Sequence, residues 1–230
     1  MAFTLETIIP WGRSFDEYVA MFALTSNDLE GRILGCGDGP ASFNAAMHRR
    51  ACPIVSVDPL YAFSADEIRQ RIDDVYPTVM EQLLANRSAY MWTVIASPDD
   101  LGRVRMTAMS DFLADYPQGK SDGRYLPHCL PKLGLADKAF RLALCSHLLF
   151  TYSDQLSAEF HLRSAMEMCR VADEVRIFPL LEMSGRRSPH VEPVCNDLRQ
   201  QGYDCRIETV DYEFQRRGNE MLRVRRATHP

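Results

Sequence analysis

The stretch RILGCGDGPASF, residues 32–43, decides the fold. Its apolar residues Ile33 and Leu34 indicate the end of a buried strand. Three glycines then follow within five positions, and they are Gly35, Gly37 and Gly39. Glycines directly after a strand permit a tight turn and let a bound molecule approach the backbone closely. The stretch therefore predicts a strand, a ligand-binding glycine loop and a helix after it.

The residues after the glycine loop complete a strand-helix-strand unit. Apolar residues recur at helical spacing in ASFNAAMHRR, residues 41–50, and CPIVSVD, residues 52–58, is a β-branched strand that ends at Asp58. In doubly wound folds, an acid at the end of the second strand binds ribose hydroxyls. Asp58 stands nineteen residues after Gly39, where this acid is expected.

Helical segments are predicted on both sides of this unit. Ser14 and the acids after it predict a leading helix over residues 14–24. Residues 63–118 predict a helical insert between strands 2 and 3, in which Pro77 kinks or divides the first helix, and YPQGKSDG, residues 116–123, is typical of a loop. One face of the second insert helix carries Leu101, Arg105, Ala108 and Phe112.

The remaining pattern predicts one α/β domain over residues 1–230. Further buried strands are expected at 124–129, 139–147 and 174–180, helices at 155–172 and 188–202, and an antiparallel hairpin from 205–214 and 220–226. The predicted architecture is a Rossmann-like, doubly wound sheet of seven strands, mostly parallel with a C-terminal antiparallel hairpin, plus the helical insert. The ligand is expected outside the carboxyl ends of the strands.

Composition narrows the classes of partner. The net charge of −5 and the pI near 5.7 provide no basic field for nucleic-acid phosphates, so a small molecule is favoured. Seven cysteines, odd in number and without a CxxC pair, favour reduced thiols and a cytoplasmic protein. No run approaches about 18 apolar residues, so neither a membrane span nor an export signal is expected. The histidine spacings predict no metal site, and the oligomeric state is left open.

The spacing of the glycines separates two classes of cofactor. The dinucleotide fingerprint GxGxxG requires glycine where the chain has Pro40, which argues against an NAD-dependent oxidoreductase. GCGDG has the spacing GxGxG instead, and it resembles the first motif of the class I S-adenosylmethionine-dependent methyltransferases. The resemblance extends to Asp58, to LGLADKAFR at 133–141, to LALCSHLLF at 142–150 and to the C-terminal hairpin.

The resemblance implies S-adenosylmethionine as the cofactor and assigns residues to its parts. The residues expected to hold its ribose and methionine part are Gly35, Cys36, Gly37, Asp38, Gly39, Asp58 and Pro59. Cys129 and Leu130 would lie beside the adenine, and Ser146 would face the methionine part. The leading helix would cover the cofactor with Tyr18, while Arg13 pairs with the methionine carboxylate. The competing interpretation is that this segment binds no cofactor: its aromatic residues belong to the core, and Arg13 lies on the surface.

The chain departs from the family pattern at three positions. Ile33 stands where an acid usually lies two residues before the first glycine, and Cys129 and Arg141 also replace acids. The cofactor amine is then expected to be held by backbone carbonyls, by Asp38 or by another residue.

His147 follows the fourth strand, beside the expected place of a transferable methyl group. It is either a general base or substrate contact, or a hydrogen-bonded residue of the wall. The expected function is methyl transfer from S-adenosylmethionine to an unidentified small-molecule acceptor that the insert helps to hold. The alternative is a regulatory protein of the same fold that binds the cofactor without transferring its methyl group.

Overall fold

The computed structural model describes residues 9–227, and a seven-stranded sheet forms its centre. The strands are β1 (Ile33–Cys36), β2 (Ile54–Val57), β3 (Tyr125–Leu126), β4 (Phe140–Ser146), β5 (Ala172–Phe178), β6 (Tyr203–Thr209) and β7 (Glu220–Arg226). They lie in the order β3-β2-β1-β4-β5-β7-β6. The first five are parallel, and β7 is antiparallel to both β5 and β6. The predicted sheet with its C-terminal hairpin is confirmed.

Seven α-helices surround the sheet within the described residues. They are α1 (Phe15–Met21), α2 (Ser26–Glu30), α3 (Phe43–Arg49), α4 (Ala65–Ala85), α5 (Pro98–Ser121), α6 (Ala158–Val171) and α7 (Val191–Gln200). α4 and α5 form the predicted insert between β2 and β3. Ser14, Ser64 and Ser97 cap α1, α4 and α5 by accepting a backbone N–H, as their sequence positions predict.

Helices pack on both faces of the sheet, as a doubly wound fold requires. On one face, α6 and α7 pack against strand residues such as Leu34 and Ala143. On the other face, α1 and α3 pack against Ile33 and Leu144. Alternate residues of one strand therefore serve opposite cores. The insert forms a further cluster in which α4 and α5 enclose Tyr61.

Two parts of the insert differ from the sequence predictions. Of the two effects expected of Pro77, division of the helix is wrong, because Ile72 and Val79 on either side of it are buried on the same packed face, which outweighs the lost backbone hydrogen bond. Residues 117–121 are helical rather than part of a loop. The last turns of α5 are held because the hydroxyl of Tyr116 and the amine of Lys120 both donate to the carbonyl of Phe63, at 2.8 and 3.1 Å.

Strand boundaries and one helix also differ from the sequence predictions. β6 ends at Thr209, so residues 210–214 of the predicted hairpin strand lie outside it. β1 continues through Gly35 and Cys36, so the first glycine of the motif lies within the sheet and pairs with Ser56 and Leu144. β3 has only two residues, and the short helix α2 was not expected. Within residues 9–227, no helix has the length and apolarity needed to cross a membrane.

Candidate functional site

Two adjoining cavities lie at the carboxyl ends of the parallel strands. The outer cavity, about 310 Å³, lies between the glycine loop, the turn after β2 and residues 128–130. The inner cavity, about 170 Å³, lies between the glycine loop, α1, α5 and the segment after β4. Both are lined by Ile9, Gly37, Gly39, Asp58 and Leu148, so they are parts of one site. Together their volumes fall within the roughly 300–1,000 Å³ typical of small-molecule sites.

The three glycines of the loop have different neighbours. A Cβ on Gly35 would overlap the carboxylate of Asp38, and a Cβ on Gly37, where φ is +67°, would overlap the side chain of Leu148. Gly39 has φ +53°, and a Cβ there would meet nothing within 4 Å. The first two glycines therefore accommodate the protein's own side chains. Gly37 and Gly39 both line the two cavities, and Gly39 is the one with open space in front of it.

Asp38 is a buried carboxylate without a cationic partner among the described residues. It accepts hydrogen bonds from the hydroxyls of Tyr18, at 2.9 Å, and Ser56, at 2.6 Å. Burial raises the pKa of Asp38 to about 6, even though both hydrogen bonds favour the charged form. Because it lines the inner cavity, Asp38 can offer its charge to a cationic group of a ligand.

Asp58 ties the turn after β2 to the glycine loop. Its carboxylate accepts from the backbone N–H of Gly39 at 2.9 Å and of Leu60 at 2.8 Å, and burial raises its pKa. An ionised carboxylate has about four acceptor positions, so two remain for the hydroxyls of a ligand. Asp58 also lines both cavities.

Two polar contacts lie along the wall between Asp38 and His147. Tyr18 donates to Asp38 at 2.9 Å, and the Ser146 hydroxyl lies 2.9 Å from Nδ1 of His147. Burial, and then the charges of Arg13 and Arg105, lower the pKa of His147 well below its usual value. The imidazole is therefore neutral near pH 7, and each of its forms offers one nitrogen that donates and one that accepts.

The backbone at His147 is also constrained. Its φ is +53°, in the left-handed region that costs energy for a residue with a side chain, and its N–H donates to the carbonyl of Phe178 at 2.7 Å. Strand β5 thereby holds the imidazole at the end of β4, where it lines the inner cavity.

Arg13 and Arg105 bring two guanidinium groups to the inner cavity. Arg13 donates to the carbonyl of Trp11 at 3.1 Å, but its buried Nε has no partner, and it makes no salt bridge within the described residues. Burial and the charge of Arg105 lower the pKa of Arg13. An unpaired guanidinium in such a site is a ready partner for a ligand carboxylate.

Arg105 is paired, although incompletely. Its guanidinium, 1% exposed, forms a salt bridge with Glu17, which also accepts from the Tyr212 hydroxyl at 2.8 Å. Burial opposes ionisation of Glu17, but the charge and the hydrogen bond of Arg105 lower its pKa to about 2. The Nε of Arg105 has no partner within the described residues.

A roof formed by residues 87–92 and 212–218 covers the inner cavity. The N–H of Met91 donates to the Phe214 carbonyl at 2.7 Å, and the N–H of Arg216 donates to the Ala89 carbonyl at 2.9 Å. Tyr90 and Phe214 stack with ring centroids 4.9 Å apart, and both line the cavity. The insert and the C-terminal segment therefore jointly enclose this side of the site.

Most of the predicted site residues come together here. Those that line the cavities are Arg13, Tyr18, Gly37, Asp38, Gly39, Asp58, Pro59, Cys129, Leu130, Ser146 and His147. Gly35 and Cys36 do not, because both lie in β1, where the Cys36 side chain joins the core. Arg105, Tyr90, Tyr212 and Phe214 were not predicted. An arginine on the otherwise apolar face of α5 was the signal for Arg105, whereas the roof residues had none.

The comparisons with known proteins identify one close relative in sequence. The chain is 30% identical over 223 residues to the uncharacterized protein MJ0045 of Methanocaldococcus jannaschii, and the match covers 96% of this chain and 98% of the relative. No family model matches the sequence.

Solved structures with a similar arrangement have low sequence identity to this chain. The magnesium protoporphyrin IX methyltransferase ChlM of Synechocystis PCC 6803, solved with bound SAM, has 11% identity and a TM-score of 0.49, covering 93% of this chain and 78% of that chain. The 1,6-didemethyltoxoflavin-N1-methyltransferase of Burkholderia thailandensis has 10% identity and a TM-score of 0.47, covering 92% and 78%.

Proposed function

The chain belongs to the same family as the uncharacterized protein MJ0045, and we propose that it transfers a methyl group from S-adenosylmethionine to a small molecule. The observation that carries the proposal is a pair of opposite charges in one cavity that make no salt bridge within the described residues. They are the buried Asp38 and the half-buried Arg13, whose Nε has no hydrogen-bond partner, and both line the inner cavity. An amino acid zwitterion, such as the methionine end of this cofactor, satisfies both charges at once.

The charges also distinguish the cofactor from a dinucleotide. A pyrophosphate beside Asp38 would place two anionic groups against a buried carboxylate, which is unfavourable. A methionine amine beside Asp38 is favourable instead. Asp38 would then take the role of the acid that class I methyltransferases usually have where this chain has Ile33. In the outer cavity, Asp58 would accept from the ribose hydroxyls, and Cys129 and Leu130 would flank the adenine.

The protein's own part in the reaction is to position the acceptor and keep water out. When bound, the cofactor would supply a methyl group on a sulfonium; the acceptor's lone pair would form the new bond to the methyl carbon while the electrons of the carbon–sulfur bond pass to sulfur. Neutral His147, which lines the inner cavity beside Ser146, would contact the acceptor through a hydrogen bond. The roof excludes water, and close positioning alone can supply about 7–11 kcal/mol of a barrier.

Calorimetric titration with S-adenosylhomocysteine tests the proposal. Wild-type protein should bind this product, while Asp58→Ala and Arg13→Met should each bind about 10- to 100-fold more weakly, because each loses hydrogen bonds to a charged group. Asp111→Ala, which removes a half-exposed acid outside the cavities, is the matched control and should bind like wild type.

Three results would contradict this assignment. They are no heat at millimolar product, an Asp58→Ala variant that is indistinguishable from wild type, or NADH binding that the product does not displace. Product binding without methyl transfer to any member of a broad metabolite panel would support the regulatory alternative instead.

A further inference from the structure

The part of the inner cavity that the insert and the roof enclose has its own chemical character. Its walls come from the insert and the roof, and they include Leu83, Tyr90, Leu101, Arg105, Tyr212 and Phe214. We infer that this part, here called the acceptor chamber, takes a small aromatic molecule whose methyl-accepting group is an acidic oxygen. The inference rests on the proposed function and specifies its substrate class.

The walls of the acceptor chamber favour a flat, apolar ring. Leu83 and Leu101 are buried side chains from the two insert helices, on one side of the chamber. The stacked rings of Tyr90 and Phe214 form the roof, and Tyr212 packs edge-on against Phe178 with centroids 5.8 Å apart. Aromatic and aliphatic walls gain most from a ring that buries both of its faces.

The charges around the chamber favour an oxygen that carries negative charge. Arg105 lines the chamber although its side chain is only 1% exposed, and its Nε–H has no acceptor among the described residues, so the guanidinium keeps an unused donor next to the chamber. The charges of Arg13 and Arg105, together with burial, lower the pKa of His147, so this region disfavours added positive charge. A protonated amine would be repelled in the same way, whereas a phenolate would be stabilised.

The acids near the chamber do not reverse this preference. Glu17 is held between Arg105 and Tyr212, and with a pKa of about 2 its carboxylate stays ionised and paired with Arg105. Asp38 and Asp58 lie on the glycine-loop side of the cavity, where the proposed function assigns them to the cofactor amine and ribose. Arg105 and neutral His147 are therefore the groups that an acceptor oxygen would meet.

An optical titration with 4-nitrophenol, in the presence of S-adenosylhomocysteine, tests the substrate class without requiring turnover. The yellow absorbance of its phenolate reports directly whether the bound oxygen is ionised. We expect binding to lower the apparent pKa of the probe by about one unit, a tenfold shift toward phenolate. Two probes of similar shape, neutral 4-nitroanisole and cationic 4-nitrobenzylamine, should bind at least about tenfold more weakly.

Two variants assign the effect to the chamber. The double variant E17Q/R105Q removes the ion pair without leaving one buried charge unpaired, and it should abolish the pKa shift of the probe. Its matched control is D115N/R124Q, which removes another shielded ion pair outside both cavities and should leave the shift unchanged. F214L should weaken 4-nitrophenol binding about three- to tenfold through loss of the aromatic wall.

The wild-type measurements alone can overturn the inference. A bound probe whose pKa is unchanged or raised contradicts an acidic-oxygen acceptor, and so does a cationic probe that binds as tightly as the phenol. If either result occurs while the product still binds, the substrate class is wrong and the proposed function stands. If the product itself does not bind, the proposed function fails instead.

Discussion

Arg176 in β5 and Arg13 beside the inner cavity have different surroundings. Arg176 donates to Glu174 at 2.6 Å, to the carbonyl of Phe22 at 2.7 Å and to Asp28 at 3.1 Å. Arg13 donates only to the carbonyl of Trp11, at 3.1 Å, among the described residues, and its Nε is unpaired.

The same contrast holds for two buried carboxylates, Glu174 and Asp38. Burial raises the pKa of Glu174, but hydrogen bonds and charges from Arg223 and Arg176 outweigh it, and the pKa is lowered. Asp38 has no cationic partner among the described residues, and burial raises its pKa to about 6. Removing one partner of a buried ion pair leaves the other charge unpaired, whereas a charge that has no partner in a cavity is available to a ligand. The cluster around Arg176 therefore joins parts of the fold, and the unpaired charges line the cavity where a ligand would bind.

The largest expected effect separates the two arginines by stability. Arg176→Met should lower the free energy of unfolding by about 3–5 kcal/mol, because two acids and a buried carbonyl lose their donor. Arg13→Met should change it by less than about 0.5 kcal/mol or increase it, because no internal pair is broken. Urea unfolding of both variants measures the difference, and equal losses would contradict the comparison between the two arginines.

The second expected effect is the pH dependence of stability at Asp38. Its pKa in the folded protein, about 6, lies above the ordinary value of 3.8, so the folded state binds the proton more tightly. This contribution is complete below about pH 4 and is lost as the pH rises through 6, and two pKa units correspond to about 3 kcal/mol. Asp58, whose pKa is also raised, adds in the same direction.

The free energy of unfolding, measured from pH 4 to pH 7 in wild type and in Asp38→Asn, isolates the contribution of Asp38 to stability. The variant should show a flatter profile, with the difference developing between pH 4 and 6. Glu174→Gln should differ from wild type in the opposite sense, in a measurement extended to about pH 3. Because the folded pKa of Glu174 is lowered, its stabilisation is present above the ordinary carboxyl pKa and is lost only as the pH falls below it. Parallel profiles for wild type and Asp38→Asn would show that Asp38 has no raised pKa.

The fold could be predicted well because its signals are local. Helical spacing, N-cap residues and buried strands each depend on a few neighbouring positions, and together they specified seven strands and the hairpin. The errors arose where tertiary packing overrides a local rule. Pro77 lies within α4, and residues 117–121 remain helical, because packing and distant carbonyls hold both segments.

The candidate site could be predicted only in part, because its charges are paired across long distances in the chain. The glycine loop, Asp58 and the end of β4 follow from strand order, and the structure brings them to one edge. The partner of Arg105 is Glu17, 88 residues away, and no local pattern indicates that pair. The role of Gly35 also depends on folding, since its neighbour is the returning side chain of Asp38.

The smallest expected effect concerns Gly39, the glycine of the loop that has open space in front of it. Gly39→Ala should cost about 1–2 kcal/mol of stability, because alanine is strained at φ +53°. Gly202→Ala is the matched control, since Gly202 also has a positive φ, +82°, and open space but lines neither cavity. Both variants should lose similar stability, yet only Gly39→Ala should bind S-adenosylhomocysteine several-fold more weakly, because its methyl group extends into the site. Equal product affinity in the two variants would mean that the ligand does not approach Gly39 and binds elsewhere in the two cavities.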